Sequence, residues 1–464
     1  MGIRMIKEIF KDKDIRAFFI VAMVIGIAMS FLISPWQIPD EDNHFTHIAG
    51  SLQLIDGLNK IEHSMGIDRG RVEYSIYEKV DIQQWLSAMI KTPSYEYGEM
   101  HPHGISHYAL YYIPAIIGML IAIFLHLPSF WVFQLAELFS LVFYVFVNSV
   151  ALKRCPFKKD VMAIFMLAPM MMQSGSSFSY DALAIPLMYW IICDVLYLTY
   201  EKEEINLKDI VWLILPWAWL TFIKIPYTFI VFLGLMLPLH KFHVKIGKFE
   251  INESFIQKYR WLALAIVLVV VGIALFVLRE NRWIQVIYGV VVEFPRTIYL
   301  LYRTLINFAD DLLVSSVGNF GWLSAPVSIV FAILFYLVLT AVVVLGTDGS
   351  SKRMKKWDRG VILATFLLLT LMTVFSMVDH MILTTWYGGD TVLVDYNIRE
   401  ELYRIDFVGG LQGRYFMPFF SLFFMQFGSL EKLDKKWTRT VITVFLIVTY
   451  VYVGHIILNR FWIG

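Results

Sequence analysis

Cysteine is almost missing from this chain: of 464 residues only Cys155, in a basic loop, and Cys193, inside an apolar run, carry a thiol. Two such positions do not make a disulfide framework. Charge is scarce too. Only 17% of the residues are Asp, Glu, Lys or Arg and the formal net charge is +1, which argues against a nucleic-acid surface. No Walker A loop and no GxGxxG after a strand gives nucleotide use any support, and no HExxH or paired CxxC spacing supports zinc. Internal repeats and low-complexity tracts are lacking. So is a small-residue cleavage site after the first apolar run, which ends in IPDEDN, and that run reads as a retained first span.

Apolar residues fill the space, at 58% of the chain. That is far above a soluble domain of this length. Several runs approach the roughly 20 residues that carry a helix across about 30 Å of hydrocarbon. A stretch such as FIVAMVIGIAMSFLI does not alternate apolar with polar, so the spanning elements are helices and not barrel strands. The expected fold is an all-α polytopic integral membrane protein with one transmembrane domain over 1–464 and about ten to twelve membrane segments.

Arg4, Lys7, Lys11, Lys13 and Arg16 precede the first span, about 17–34, and an excess of positive charge holds that end in the cytoplasm. The segment 36–107 then becomes a first extracytoplasmic loop, too long for a plain connector. Apolar runs at 108–126 and 131–152 lead to the basic loop KRCPFKKD. If both cross fully, that loop lies outside, against the charge rule; if one is tilted, re-entrant or interfacial, it lies inside, which is the reading preferred here. The run 210–239 is cut by FIKIPY, as two half-crossings meeting at Lys224 and Pro226. An amphipathic external segment is expected at 279–325, with Phe294, Ile298, Leu301 and Leu305 at helical spacing, and a second large external loop at 379–414.

The stretch PWQIPDEDNHFTHIA at 35–49 packs Asp40, Glu41, Asp42, His44 and His47 into eight residues just past a span. Pro39 suits the first turn of a new helix, and Asp40, His44 and His47 would share one side of it. The bland reading is a water-facing connector with capping acids. On the same predicted face fall HPHGISH with His101 and His103, SYD with Asp181, IKIPY with Lys224, and QGRYF with Arg414 and Tyr415. Ionisable groups at a membrane edge are expensive and mark candidate sites. External carboxylates beside two cations describe a place where a lipid phosphate is held while a base activates an acceptor, the requirement of glycosyl transfer from a polyprenyl-linked sugar. Each residue keeps a plainer alternative: a snorkelling anchor for Lys224, a helix end for Arg414, an N-cap for Asp181, and an interfacial turn for His101 and His103. The acid triplet with His44 and His47 could also hold a divalent cation such as Mg or Mn.

The order of PDEDNHF after the first span, SYD opening a later one, a lysine and proline split by Ile225, and QGRYFMP before the penultimate span resembles the predicted membrane proteins catalogued as domain of unknown function 2142. The likeness covers roughly 17 to 430. That family is grouped with the GT-C glycosyltransferases, so the resemblance implies a GT-C-like fold and a transferase working at the outer membrane face. It implies a polyprenyl-phosphate sugar donor and a cell-envelope glycan, lipid or protein as acceptor. It further implies that Asp40 or Glu41 serves as catalytic base or binds a metal, with Asp181 as a second acid, and that Lys224 and Arg414 are the cations that meet the lipid-linked phosphate; beside them His44, His103 and Tyr415 are expected on the substrate. Asp42 stands where the family has a small residue or proline, and Ile225 interrupts the lysine-proline pair. The competing readings are a transporter or flippase of a lipid-linked or anionic solute, against which the mid-span segments carry few ionisable residues, Asp194 being the clearest, and a non-catalytic partner of a glycan synthase.

Overall fold

A computed structural model describes residues 11–51, 79–90, 107–247, 249–277, 279, 282–347, 354–387 and 405–463. Its described residues are overwhelmingly helical. Helix α1, Lys13–Leu32, starts where the Asp12 side chain accepts from the amides of Asp14 and Ile15, and continues through an unbroken apolar run. The short helices α2, Glu41–Ser51, and α3, Ile82–Ile90, follow. Then come α4, Ile113–Phe124, and α5, Ser129–Arg154, packed against each other as a hairpin. The pair approaches closely because Gly118 has no side chain: a Cβ there would stand 2.2 Å from the Leu135 carbonyl oxygen.

The helices α6, Lys159–Met166, and α7, Pro169–Gly175, lead into α8, Asp181–Tyr200. Helix α8 is the central post, with 94% of its apolar window buried among its neighbours. Next is α9, Leu207–Ile223, opened by a reciprocal Asn206 and Asp209 capping box. It stops at Lys224, whose extended backbone and the following Pro226 turn the chain into a tighter 3₁₀ segment, Ile225–Met236. The break expected within 210–239 therefore falls at Lys224.

An antiparallel hairpin of β1, His243–Ile246, and β2, Phe249–Asn252, precedes α10, Glu253–Val277. Helices α11, Arg282–Val292, and α12, Phe294–Val317, fill most of the segment read as amphipathic. Phe294, Ile298 and Leu305 are exposed on α12, an apolar face of the kind that meets lipid. A two-residue ladder, β3 Asn319–Phe320 with β4 Ala325–Pro326, leads to α13, Ile329–Leu345. The chain closes with α14, Lys356–Tyr387, α15, Met417–Met425, and α16, Lys435–Phe461.

Five of these helices are long and apolar enough to cross a membrane: α1, α5, α8, the Lys356–Val378 part of α14, and α16. Four shorter apolar helices accompany them, among them α4, α13 and the 3₁₀ segment. The run 108–126 holds the short 3₁₀ turn His107–Tyr111 and the 12-residue α4, itself roughly 18 Å of helix and too short for a full crossing. Polar contacts sort the bundle into two ends. At one, Arg439 pairs with Asp14, Tyr200 donates to Asp358, and Lys158 reaches the Phe424 carbonyl at 3.3 Å. At the other, the Trp462 indole donates to the Leu32 carbonyl at 2.6 Å and the Val80 amide to Phe461 at 2.7 Å. The acidic loop, the start of α8 and the QGRY turn belong to this second end.

A polar recess behind an aromatic plug

The loop from Pro35 to Asp40 is fixed by aromatic packing before any charge is considered. Trp36 is buried against Phe45, centroids 5.2 Å apart, and Phe133 at 5.0 Å, while Phe178 stacks on Phe133 at 5.4 Å. Trp322 donates its indole to the Trp36 carbonyl at 3.0 Å. This plug ties the acidic loop to the SSFSY segment ahead of α8. Trp36 and Asp40 both lie in the left-handed backbone region, at φ 69° and 66°. Non-glycine residues adopt that region at a cost of about 1–3 kcal/mol and need a surrounding structure that imposes it. One consequence corrects the expectation for Pro39. The helix begins at Glu41, not at Pro39, because the Asp40 conformation breaks the chain between them; the Asp40 carbonyl then accepts the first helical bond, from His44 at 2.9 Å.

Asp40, His44, Ser174, Ser177, Asp181 and Arg414 line one narrow recess of about 30 Å³, and Tyr180 and Tyr415 complete its wall. Segments some 370 residues apart thus meet. Asp40 is exposed, whereas Arg414 is only 8% exposed. Asp181 does not cap its helix with its side chain. Ser179 serves the Asp181 amide instead, at 3.1 Å, and the Asp181 carboxylate takes the Lys224 ammonium at 2.8 Å. Lys224 also lies over the rings of Tyr227, Tyr415 and Tyr180, at 4.9, 5.1 and 5.6 Å. A carboxylate and three aromatic faces hold it inward, so the snorkelling alternative does not describe it.

Arg414 is set by the turn Gly413–Tyr415, which presses on α12. The Gly413 amide donates to Ser315 at 2.7 Å, and a Cβ at Gly413 would stand 1.9 Å from the Leu312 carbonyl oxygen. Tyr227 fixes the far side of the turn by donating to the Tyr415 carbonyl at 2.7 Å. The guanidinium packs over the Tyr415 ring at 5.3 Å and makes no carboxylate ion pair among the described residues. Its Nε is buried without a hydrogen-bond partner there. A buried cation with an unused donor is expensive on its own and complements an anion.

His44 bridges two walls, with Nδ1 2.6 Å from the Tyr112 hydroxyl and Nε2 3.5 Å from the Ser179 hydroxyl. Burial pushes its imidazole down to about 4 against the pull of Asp181, so the ring stays neutral at physiological pH. His47, read as sharing that helix side, is exposed and does not line the recess.

Glu41 goes elsewhere. Although it follows Asp40 directly, it is 1% exposed and its carboxyl accepts from the Ile38 and Phe178 amides, at 3.4 and 3.3 Å. It faces Glu137 of α5, not the recess. His103 lies outside the described residues, as does the Asp42 side chain. Among the described residues no three His, Cys, Asp or Glu side chains converge as a metal site. Glu41 is turned away, Asp181 is engaged by Lys224, and Arg414 brings its own positive charge, so the donors among the described residues do not fit Mg or Mn. Sequence reasoning passed over Tyr112, Ser177, Ser179, Tyr227 and Glu137. Only the serine-rich QSGSSFSYD and the IKIPY word carried a signal for any of them.

An apolar groove of about 620 Å³ runs between α12, α13, α14 and α15. Leu305, Leu312, Leu337, Phe420 and Phe424 line it, and Gly413 stands at its edge, one residue from Arg414. The run from Gly413 to Phe424 spans roughly 16 Å, about half the thickness of a bilayer core.

A family model described as "Predicted membrane protein (DUF2142)" matches residues 23–423, most of the chain. No curated protein and no solved structure matches it.

Proposed function

Since the chain belongs to this DUF2142 family of predicted membrane proteins, we propose that it is a GT-C-type transferase that moves a sugar from a polyprenyl-phosphate donor to a cell-envelope glycan, lipid or protein. The observation that carries the reading is the meeting of two features at one point. Arg414, a buried guanidinium with an unpartnered Nε, lies in the polar recess, and its neighbour Gly413 lies on the apolar groove. An amphipathic phosphate needs that junction: a cationic seat for its head beside an apolar channel for its chain.

Asp40 is the base of this proposal because its carboxylate is exposed at the recess while that of Glu41 is not. It takes the acceptor hydroxyl proton as the hydroxyl oxygen bonds to the anomeric carbon. The bond from that carbon to the phosphate oxygen breaks, and Arg414 meets the charge left on the polyprenyl phosphate. Lys224 holds Asp181 and Tyr415 in place. The basic loops gather at the opposite end of the spans, so by the charge rule the N-terminus is cytoplasmic and the recess faces outward. A transporter would use Asp194, but Arg154 of α5 engages that acid.

A photoactivatable isoprenyl phosphate, added to membranes containing the chain, tests the seat. Crosslinks mapping to Phe416–Phe424 and competed by unlabelled isoprenyl phosphate support the proposal, and Arg414→Gln should weaken capture about tenfold or more. Transfer is then read as the envelope glycan change restored by the native chain, and not by Asp40→Asn, in cells from which the chain has been deleted. Full restoration by Asp40→Asn removes the assigned base.

A further inference from the structure

Helix α3, Ile82–Ile90, touches the ends of three spans at once. Trp85 packs edge-on against Phe31 of α1 at 6.2 Å, Phe130 of α5 at 5.5 Å and Trp462, the residue that ends α16, at 5.2 Å. The two ends of α3 are tied to different spans. The Val80 amide donates to the Phe461 carbonyl at 2.7 Å and the Lys79 ammonium to the Arg460 carbonyl at 3.3 Å, which fixes the entry to α16. Trp131, at the start of α5, donates its indole to the Met89 carbonyl at 3.0 Å and fixes the exit. A helix pinned to α16 at one end and to α5 at the other lies across the tips of the bundle, not alongside the spans.

Around its axis α3 divides into three sectors, each residue turning about 100° from the last. Trp85, Ala88 and Met89 face the bundle, Ala88 buried and the other two half-buried. Gln83, Gln84 and Ser87 are polar and exposed. Ile82, Leu86 and Ile90 share the remaining sector by i, i+4, i+8 spacing, and they stand 55%, 53% and 85% exposed. A helix between protein and water needs only two sectors. The third, apolar and uncovered, calls for a third medium.

We propose that α3 is an interfacial helix whose stripe of Ile82, Leu86 and Ile90 is seated in the lipid leaflet at the recess end of the bundle. Its level is marked by Trp85, Trp131 and Trp462, three indoles gathered around it, since tryptophan concentrates where a bilayer meets water. The surface beside it is already of the lipid-facing kind. Ile463, next to Trp462, is 54% exposed, and along the same spans Ile27 of α1 and Val451 of α16 are exposed as well. A second copy of the chain is the poorer occupant, because three aliphatic side chains fall well short of the roughly 800 Å² per partner that a stable protein interface buries. A helix seated in this way sinks its apolar face about 5–10 Å into the boundary between headgroups and acyl chains. Phe130, which Trp85 grips, lies one turn from Phe133 of the aromatic plug, so the seating holds the plug, and with it the recess, at headgroup depth. The proposal concerns where the protein meets lipid and stands whatever the recess does.

Leu86→Cys and Ser87→Cys, neighbours in the lipid and water sectors, test it in the full-length chain, whose two native cysteines are buried. Each variant is labelled with a nitrobenzoxadiazole maleimide and reconstituted into phosphatidylcholine vesicles that carry a nitroxide either near the headgroup or deep in the acyl chain. The shallow nitroxide should quench the label at 86 roughly twice as strongly as the label at 87, and more strongly than the deep nitroxide does. Iodide, present on both sides of the vesicle, should prefer 87. Equal lipid quenching at the two positions, or stronger quenching at 86 by the deep nitroxide, overturns the proposal. So does shielding of 86 from lipid and iodide alike, which would mean that protein covers the stripe. Ile90→Cys repeats the measurement at the far end of the stripe and keeps the test decisive should Leu86→Cys fail to fold.

Discussion

Asp181 and Lys224, 43 positions apart, meet at 2.8 Å where α8 begins and α9 ends. Each is mostly shielded, with side chains 14% and 16% exposed, so each charge depends on the other. Removing one partner of a shielded pair leaves an uncompensated charge, at a cost on the order of 3–5 kcal/mol, while replacing both costs far less. Lys224→Met and Asp181→Asn should each lower the melting temperature strongly in detergent, and the double variant should recover much of the loss. A double variant as unstable as the sum of the singles would mean that the two residues act separately.

Gly413 is the second structural pivot. A methyl group there would collide with the Leu312 carbonyl and the Ser316 amide, at 1.9 and 2.6 Å. Both are backbone atoms of α12 and cannot swing aside. Gly413→Ala should therefore push the turn off α12 and destabilise the chain by roughly 1–3 kcal/mol, the usual range for overpacking. It should also displace Arg414 and reduce isoprenyl phosphate capture. Capture at the native level in Gly413→Ala would break the link between turn geometry and anion seat.

Much of this arrangement was legible in the sequence, for reasons of cost. A lysine in a wholly apolar stretch, an arginine in a short turn between spans and an acid at the mouth of a helix are each expensive, and expensive residues tend to be brought together. The break at Lys224 was readable because proline cannot continue the donor ladder. What could not be read was direction. Asp40 and Glu41 are adjacent and both acidic, and only the left-handed backbone of Asp40 sends one to the recess and the other into the interior. Glu137 sits in an apolar run with nothing to announce its partner. The half-length of α4 was also hidden, because hydropathy scores the residues buried against α5 and those facing lipid alike.

Two buried groups set opposing pH dependences. Glu41 is pushed from the ordinary carboxyl value of 4.5 to about 8, so the folded chain keeps a proton that the unfolded chain releases. Its contribution is largest below about 4.5 and is lost as pH rises to about 8. His44 is pushed from 6.5 to about 4, so the unfolded chain takes up a proton that the folded one refuses, and stability is lost as pH falls through that window. Between 6.5 and 8 only the Glu41 slope acts, at most about 1.4 kcal/mol per pH unit. The melting temperature should accordingly drop from pH 6.5 to 8 and level off below 6.5, where the slopes oppose. Glu41→Gln should flatten the alkaline limb, and His44→Gln should remove the levelling below 6.5, so that the melting temperature goes on rising as pH falls toward 4.5. A melting temperature that climbs from pH 6.5 to 8 contradicts both assignments.

Arg414 separates a requirement for charge from a requirement for shape. Its guanidinium is buried, stacked on Tyr415, and offers an unused Nε donor, which together fix the plane in which an anion is met. A lysine at this position keeps the charge but loses the fork and the flat face that packs on the tyrosine. If the seat takes a phosphate through paired donors, Arg414→Lys should lose nearly as much capture as Arg414→Gln, on the order of tenfold, with the melting temperature changed much less than by Lys224→Met. If the seat only gathers positive charge, Arg414→Lys should bind the isoprenyl phosphate like the native chain and lose that binding steeply as salt is raised. Measuring capture by the three chains at two ionic strengths decides between these, and salt-sensitive, native-like binding by Arg414→Lys would remove the directional phosphate seat on which the transferase mechanism is built.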